Sequence, residues 1–289
     1  MALRLMQTEI RPVTVFSKVM SFNLLNSDIT DTRIGLVTEM IRAELPDSLG
    51  TQECGPNWYI SLNDALNDRY SVYTGGSFEQ KYVLNAIFYR KDKYELIESA
   101  SGCRSLSDKA IADDGETEVE STQPRSVVWV ALKNKNTGEI FVHYNLHVDY
   151  GSWAIIKQQL IDLKALTDAC EYPYVITGDF NLDMYDTTGP GIYYSTILCQ
   201  NWNDARVEAE VTTNARTSSV TDTSYVVEEK IYTAKTLDYC LISKYMIDVR
   251  VFDVVDTYVS QSDYNNRGIT DKGDWISDHL PVYVEFYIK

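Results

Sequence analysis

Long hydrophobic runs are absent from this 289-residue chain; no apolar stretch approaches the ~18 residues that a membrane-spanning helix needs. Glycine (14) and proline (7) are scarce, which excludes a collagenous or long disordered architecture. The five cysteines, Cys54, Cys103, Cys170, Cys199 and Cys240, are odd in number and form no C-x-x-C pair. Neither a disulfide framework nor a structural zinc site is expected of them, and they read as small buried residues. Met1–Pro12 carries Arg4, Glu9 and Arg11 and no apolar core segment, so no signal peptide is read there. Free thiols point to a cytoplasmic protein, with a secreted one that has lost its leader as the alternative. Positive charge is also short: 26 basic residues stand against 42 acidic ones, a net charge of −16. That balance opposes a broad grip on duplex nucleic acid, which needs clustered Lys and Arg. It leaves phosphate substrates open, because a bound divalent cation reverses the sign locally. Several catalytic signatures are missing too: G-x-S-x-G, the Walker A sequence, G-x-G-x-x-G and H-E-x-x-H.

What is present is ordinary for a globular protein, with 44% apolar and 24% charged residues. A single domain over 1–289 is expected, with residues 1–12 as a flexible extension, and a monomer. Strand-like segments recur at Val13–Phe22, Ala86–Tyr89, Val127–Leu132, Ile140–Val148, Tyr174–Thr177, Thr236–Ile242, Val249–Val255 and Val282–Ile288. Ile140–Val148 alternates Phe141, His143, Asn145 and His147 with Val142, Tyr144 and Leu146, so both of its faces are expected to be covered. Asp31 or Thr32 starts a helix bearing Ile34, Val37, Ile41 and Leu45 and stopping at Pro46. Ser152 starts another with Ile156, Leu160, Leu163 and Leu166 as its stripe. Ala112–Glu120 reads as a solvated acidic loop and Thr212–Thr223 as a second long loop. Helices in both halves of a strand-rich chain indicate an α/β domain.

The informative residues are polar ones at the ends of apolar strands, where loops gather functional groups on a rigid base. In order they are Ser21-Phe22-Asn23, Thr51-Gln52-Glu53, Asn145-Leu146-His147-Val148-Asp149, Gly178-Asp179-Phe180-Asn181, Leu237-Asp238-Tyr239 and Ser277-Asp278-His279-Leu280-Pro281. Glu53, Asp179 and Asp278, with Asn23 and Asn181, form an all-oxygen set that suits a hard cation such as Mg²⁺. Two of the three histidines follow strands beside carboxylates, with no thiolate to suggest zinc. A cation next to two imidazoles suits in-line attack of water on phosphorus. Each element alone has a structural reading: G-D-F-N as a turn, Asn23 as a strand-end cap, Asp-His as a satisfied pair.

Taken together and in this order, S-F-N, T-Q-E, N-L-H-V-D, G-D-F-N, L-D-Y and S-D-H-L-P-V resemble the endonuclease/exonuclease/phosphatase superfamily. Its members include DNase I-like nucleases, abasic-site endonucleases, deadenylases, sphingomyelinases and inositol polyphosphate 5-phosphatases. The resemblance runs from Asn23 to near Val282. It implies a four-layer α/β/β/α sandwich of two packed mixed β-sheets flanked by helices, with the site at one rim. It implies a hydrolase that cleaves a phosphodiester or phosphomonoester with Mg²⁺, or Mn²⁺ in its place. Glu53 is then the principal metal ligand, with Asn23 and Asp278 near it. Asp179 orients or deprotonates the attacking water, and Asn181 holds water or phosphate in line. His279 contacts the scissile phosphate and Asp238 sets its tautomer. His147 is a second phosphate contact. Arg125, opening R-S-V-V-W-V, is either a phosphate-binding group or a solvated strand-end charge. Asp149 and Asp183 read as structural.

The chain departs from the pattern in one respect: a glutamate that orients the first histidine is expected near Val83, and the nearest acid is Glu79. Marks of the inositol phosphatases are absent, as is the Trp-rich sequence of abasic endonucleases around Ser99–Ser121. The substrate is therefore open between nucleic acid and a small or lipid-linked phosphate, with a non-catalytic binding module as the alternative of a different class.

Overall fold

The computed structural model describes residues 16–27, 29–76, 85–183, 197–212, 226–227, 230–231, 236–259 and 274–289. Residues 1–12, the stretch holding Glu79 and Val83, and 213–223 lie outside the described residues.

Two seven-stranded mixed sheets face each other. In spatial order the first runs Val211–Thr212, Ile247–Val254, Val282–Ile288, Ser17–Asn23, Ser48–Gln52, Ala86–Arg90 and Tyr70–Tyr73. The second runs Asn203–Asp204, Asp238–Ile242, Tyr174–Asp179, Ile140–His147, Ser126–Asn134 and Tyr94–Leu96, with Gly102–Ser105 also paired to Ser126–Asn134. Each sheet contains a parallel pair joined through a helix: Ser17–Asn23 with Ser48–Gln52 across Asp31–Glu44, and Ile140–His147 with Tyr174–Asp179 across Trp153–Asp168. A parallel connection needs such a crossover, and the helix then covers the outer face of its sheet. Met20, Phe22, Leu49, Val37, Ile41, Trp58 and Leu62 form the outer layer on the first sheet. Val142, Tyr144, Leu146, Ile156, Leu160 and Leu163 form that on the second. Val19, Val128, Val130, Phe141, Val284 and Phe286 fill the space between sheets. This is the expected α/β/β/α sandwich, and Ile140–His147 is covered on both faces as its alternation implied.

Details differ from the sequence reading for identifiable reasons. The first helix is capped by Thr30, whose Oγ1 accepts from Arg33 N at 3.2 Å, rather than by Asp31 or Thr32. It stops at Leu45, which adopts φ 49° and donates to Ile41 O just before Pro46. Ile34 and Leu45 are only partly buried. Ser152 caps the other crossover helix as expected, but through its backbone alone. A helix over Pro56–Leu66 escaped the reading, although Pro56 sits in its first turn and Trp58, Leu62 and Leu66 line its buried face. Part of the acidic loop is a strand: Glu118–Glu120 pairs with Lys109–Ile111, and Lys109 bridges Glu118 and Glu120 at 2.8 and 2.9 Å. All five cysteines are free, but only Cys54 and Cys240 are buried, and Cys199 is exposed. No helix among the described residues is long and apolar enough to cross a membrane.

Toward the site the filling between the sheets becomes polar. His143 Nδ1 meets Ser48 Oγ at 2.6 Å and its Nε2 meets Thr177 Oγ1 at 2.7 Å. Thr177 and Gln52 donate to Asn145 Oδ1, and Gln52 also donates to Ser21 Oγ. Gly50 has no room for a side chain, because a Cβ there would fall on Thr177 Oγ1 and Asn145 Oδ1. Burial pushes His143 down to about 3. The unfolded chain therefore binds a proton near the ordinary histidine value of ~6.5 that the folded chain refuses, so stability falls as pH drops below that value. Between pH 7 and pH 5 this one group is expected to remove about 2 kcal/mol. Urea unfolding of His143→Gln should show a pH slope shallower by that amount; an unchanged slope would overturn the assignment.

Candidate active site

The polar strand ends collect at one rim, at the carboxyl ends of the two parallel pairs, the usual place for a site in sheets of this kind. Register puts them side by side: Asn23 opposite Gln52, His147 opposite Asp179, and Asp179 opposite Asp238. The antiparallel neighbours start at this same rim, so Arg125, just before Ser126–Asn134, and His279, just before Val282–Ile288, join them. Glu53 (φ 54°), directly after its strand, and Asn181 (φ 50°), two residues past its own, both take the left-handed backbone conformation. For asparagine this is tolerated; for glutamate it is strained, and such strain concentrates at functional positions.

Asp179 Oδ2 is the hub. Asn23 Nδ2 donates to it at 3.1 Å, and Nε2 of His147 and of His279 lie 3.4 and 3.5 Å away. Its Oδ1 accepts from Asn181 N at 2.9 Å. Burial alone would raise the Asp179 carboxyl, but the two imidazoles and these donors bring it below the usual range. The histidines are polarised in opposite senses. Burial pushes His147 down to about 3 even with Asp179 beside it, and Arg125 and His279 add to the effect. Burial acts the same way on His279, but there Asp238 and Asp179 outweigh it and carry it up to about 10. Asp238 Oδ2 accepts from His279 Nδ1 at 2.8 Å, and because the ring is protonated its Nε2 also carries a proton, 3.5 Å from Asp179 Oδ2. At neutral pH the site holds one imidazolium and one neutral imidazole on either side of a carboxylate.

The site candidates that lie among the described residues are at this rim, though not all in the expected pose. Glu53 is half-buried, with Oε2 accepting from Asn26 N at 3.0 Å and Oε1 from Asn23 Nδ2 at 3.3 Å. Asn23 thus shows its amide nitrogen to Glu53 and Asp179, while its Oδ1 accepts from Leu25 N. Asp278 is raised, first by burial and, against the pull of His279, by the neighbouring Glu53 and Asp179 charges. Asn181 commits its Nδ2 to Val148 O at 3.1 Å. Arg125 is buried, which removes the solvated strand-end reading; Asp179, Asp149 and Glu53 attract a charge that burial disfavours. Asp149 and Asp183, the weaker candidates, are engaged by neighbouring backbone and hydroxyl groups. Asp149 accepts five hydrogen bonds from Ser121, Thr122, Gly151 and Ser152, and Asp183 Oδ1 accepts from Thr236 N.

Two supports received no role from the sequence. Ser277 Oγ donates to Asn23 O at 2.7 Å and accepts from His279 N at 3.2 Å, tying the histidine loop to the first strand. Arg33 donates to Ile276 O, Leu24 O and Ser27 O, fastening two rim loops to one helix. Ser277 lies within S-D-H and had a signal; Arg33 reads in the sequence as an ordinary helix-surface arginine and had none.

Among the described residues no three His, Cys, Asp or Glu side chains converge as a ready-made metal cage. Mg²⁺ does not require one, since it takes one or two carboxylates and completes its shell with water and substrate phosphate. Glu53 and Asp278 supply hard oxygen donors, and their mutual repulsion is what a cation between them would relieve.

A family model described as Endonuclease/Exonuclease/phosphatase family matches residues 20–279. Among solved structures, an endonuclease/exonuclease/phosphatase family protein from Bacteroides thetaiotaomicron matches with TM-score 0.76 and 23% identity, over 96% of this chain and 99% of that one. A mannosyl-6-phosphatase from Bacteroides thetaiotaomicron VPI-5482 matches with TM-score 0.73 and 24% identity, over 93% and 99%. D. rerio TDP2, complexed with single-strand DNA product, matches with TM-score 0.66 and 14% identity, over 94% and 98%. At these identities the structural likeness establishes the fold. A search of curated proteins found no match.

Proposed function

Because the chain belongs to the endonuclease/exonuclease/phosphatase family, we propose that it is a phosphoesterase that hydrolyses a phosphate ester by in-line attack of water, with Mg²⁺ held at Glu53 and Asp278. The observation that carries this reading is the convergence of His147, His279 and Asn23 on Asp179 Oδ2, from both sheets at once. An ionised carboxylate among hydrogen-bond donors is the arrangement that orients a water and accepts its proton. His279, kept protonated by Asp238, donates Nε2–H to a phosphoryl oxygen. His147 and Arg125 hold the other oxygens, and Asn181 steadies the attacking water. Mg²⁺ bound at Glu53 would offset the charge that builds on phosphorus-bound oxygen; Mn²⁺ would serve in its place.

On substrate, relatives of the same fold include a mannosyl-6-phosphatase and a protein solved with single-strand DNA product. The −16 charge favours the smaller class, because a long polyanion binds through many cationic contacts. Phosphate release from sugar and nucleoside phosphates, and cleavage of supercoiled plasmid and single-stranded RNA, should be measured in Mg²⁺ and in EDTA. Release confined to the small esters and abolished by EDTA is expected; cleavage of plasmid or RNA would move the substrate to nucleic acid. Glu53→Gln should raise the Mg²⁺ concentration for half-maximal activity roughly tenfold or more, since even outer partners of metal ligands cost that much. An unchanged Mg²⁺ titration would remove Glu53 as the ligand.

A further inference from the structure

Tyr150 is 65% exposed, buries no core surface, and sits at the rim between His147 and the helix Trp153–Asp168. Nothing in the packing of the described residues requires an aromatic ring there. Yet the residues that flank it are hydrogen-bonded in place. Asp149 Oδ1 accepts from Gly151 N at 2.7 Å and Ser152 N at 3.3 Å. Asp149 Oδ2 accepts from Thr122 N, Thr122 Oγ1 and Ser121 Oγ at 2.6–2.8 Å, and Asp149 N donates to Gln159 Oε1 at 2.8 Å. A Cβ at Gly151 would strike the Thr122 methyl, so the turn has no slack on that side. The same carboxylate therefore locks the turn carrying Tyr150 to the segment leading into Arg125. The Arg125 guanidinium lies 5.9 Å from the centre of the Tyr150 ring and, with the Gln123 amide oxygen turned toward it, is held at 3.0 and 3.3 Å. Arg125 is also close enough to act on His147 and Asp179 electrostatically.

An exposed ring on a fixed turn, next to a buried cation, offers a recognition surface rather than a packing element. We propose that Tyr150 is the platform on which a ring in the leaving group, a sugar or a nucleoside, lies while Arg125 holds the adjoining phosphate. The inference rests on the phosphoesterase reading and deepens it, making Tyr150 a determinant of specificity. Stacking on an aromatic face contributes on the order of a tenfold change in affinity per ring, for base π-faces and sugar C–H faces alike.

The test compares the wild type with Tyr150→Ala and Tyr150→Phe on glucose 6-phosphate, adenosine 5′-monophosphate and glycerol 3-phosphate. Tyr150→Ala should raise KM roughly tenfold for at least one ring-bearing ester with kcat within a few-fold. It should leave the acyclic ester unchanged, and Tyr150→Phe should behave as wild type. Which ring responds separates a sugar from a nucleoside. Equal changes on all three esters, or none on either ring ester, would overturn the proposal alone. Failure of the wild type to release phosphate from any of the three would remove the small-ester reading beneath it, and the proposal with it.

Discussion

His279→Ala is expected to lower kcat/KM by about 10²–10⁴, the range for removing a general acid–base or oxyanion-binding group. His279 is held from three directions: its Nδ1 bonds Asp238 at 2.8 Å, its backbone N–H bonds Ser277 Oγ, and its Nε2 points at Asp179. Alanine removes the only protonated imidazole the geometry places beside Asp179 and leaves Asp238 buried without that partner. Some loss of stability is therefore expected as well, because a buried carboxylate stripped of its cation is costly. Denaturation measured beside kinetics separates the two. A protein that stays folded at the assay temperature and loses only a few-fold in kcat/KM would make His279 structural.

Asp179→Asn is the second large effect, again about 10²–10⁴ in kcat. The substitution keeps shape and the bond from Asn181 N while deleting the charge at the hub. With no carboxylate to take the proton of the attacking water, the chemical step suffers. Phosphate binding does not, because a negative charge facing the substrate has been removed. The expected signature is thus a collapsed kcat with KM unchanged or lowered, read from steady-state kinetics. A matching rise in KM, or less than a tenfold fall in kcat, would place the proton acceptor elsewhere.

Most strands that build the site were legible because they are buried on both faces or alternate cleanly; Ser48–Gln52, which leads into Glu53, was not, because its small and polar residues carry no apolar pattern. Ile140–His147 and Val282–Ile288 fall where their apolar pattern puts them. The helix Pro56–Leu66 was not legible, since Ile60 is exposed and the buried face rests on Trp58, Leu62 and Leu66, one apolar residue per turn in a short window. Strand Glu118–Glu120 was hidden for a related reason: its partner is a nearby hairpin arm and its side chains face water, so no hydrophobic period marks it.

Local patterns determined an α/β domain and the polar residues that close its strands at a rim, and the order of the motifs, through their resemblance to a known family, pointed to the four-layer sandwich. Charge states were decided only by the tertiary structure. His147 and His279 look alike in sequence, each within two residues of an aspartate, yet one is driven neutral and the other cationic. The difference comes from Asp238, which is 41 residues away from His279 along the chain and is brought to it by the other sheet. Arg125 is a buried cation beside Tyr150, in a segment that Asp149 ties to the Tyr150 turn through Thr122. Burial depth and long-range partners set both the energy of a charge and the direction of a ring, and neither is carried by a residue's neighbours in sequence.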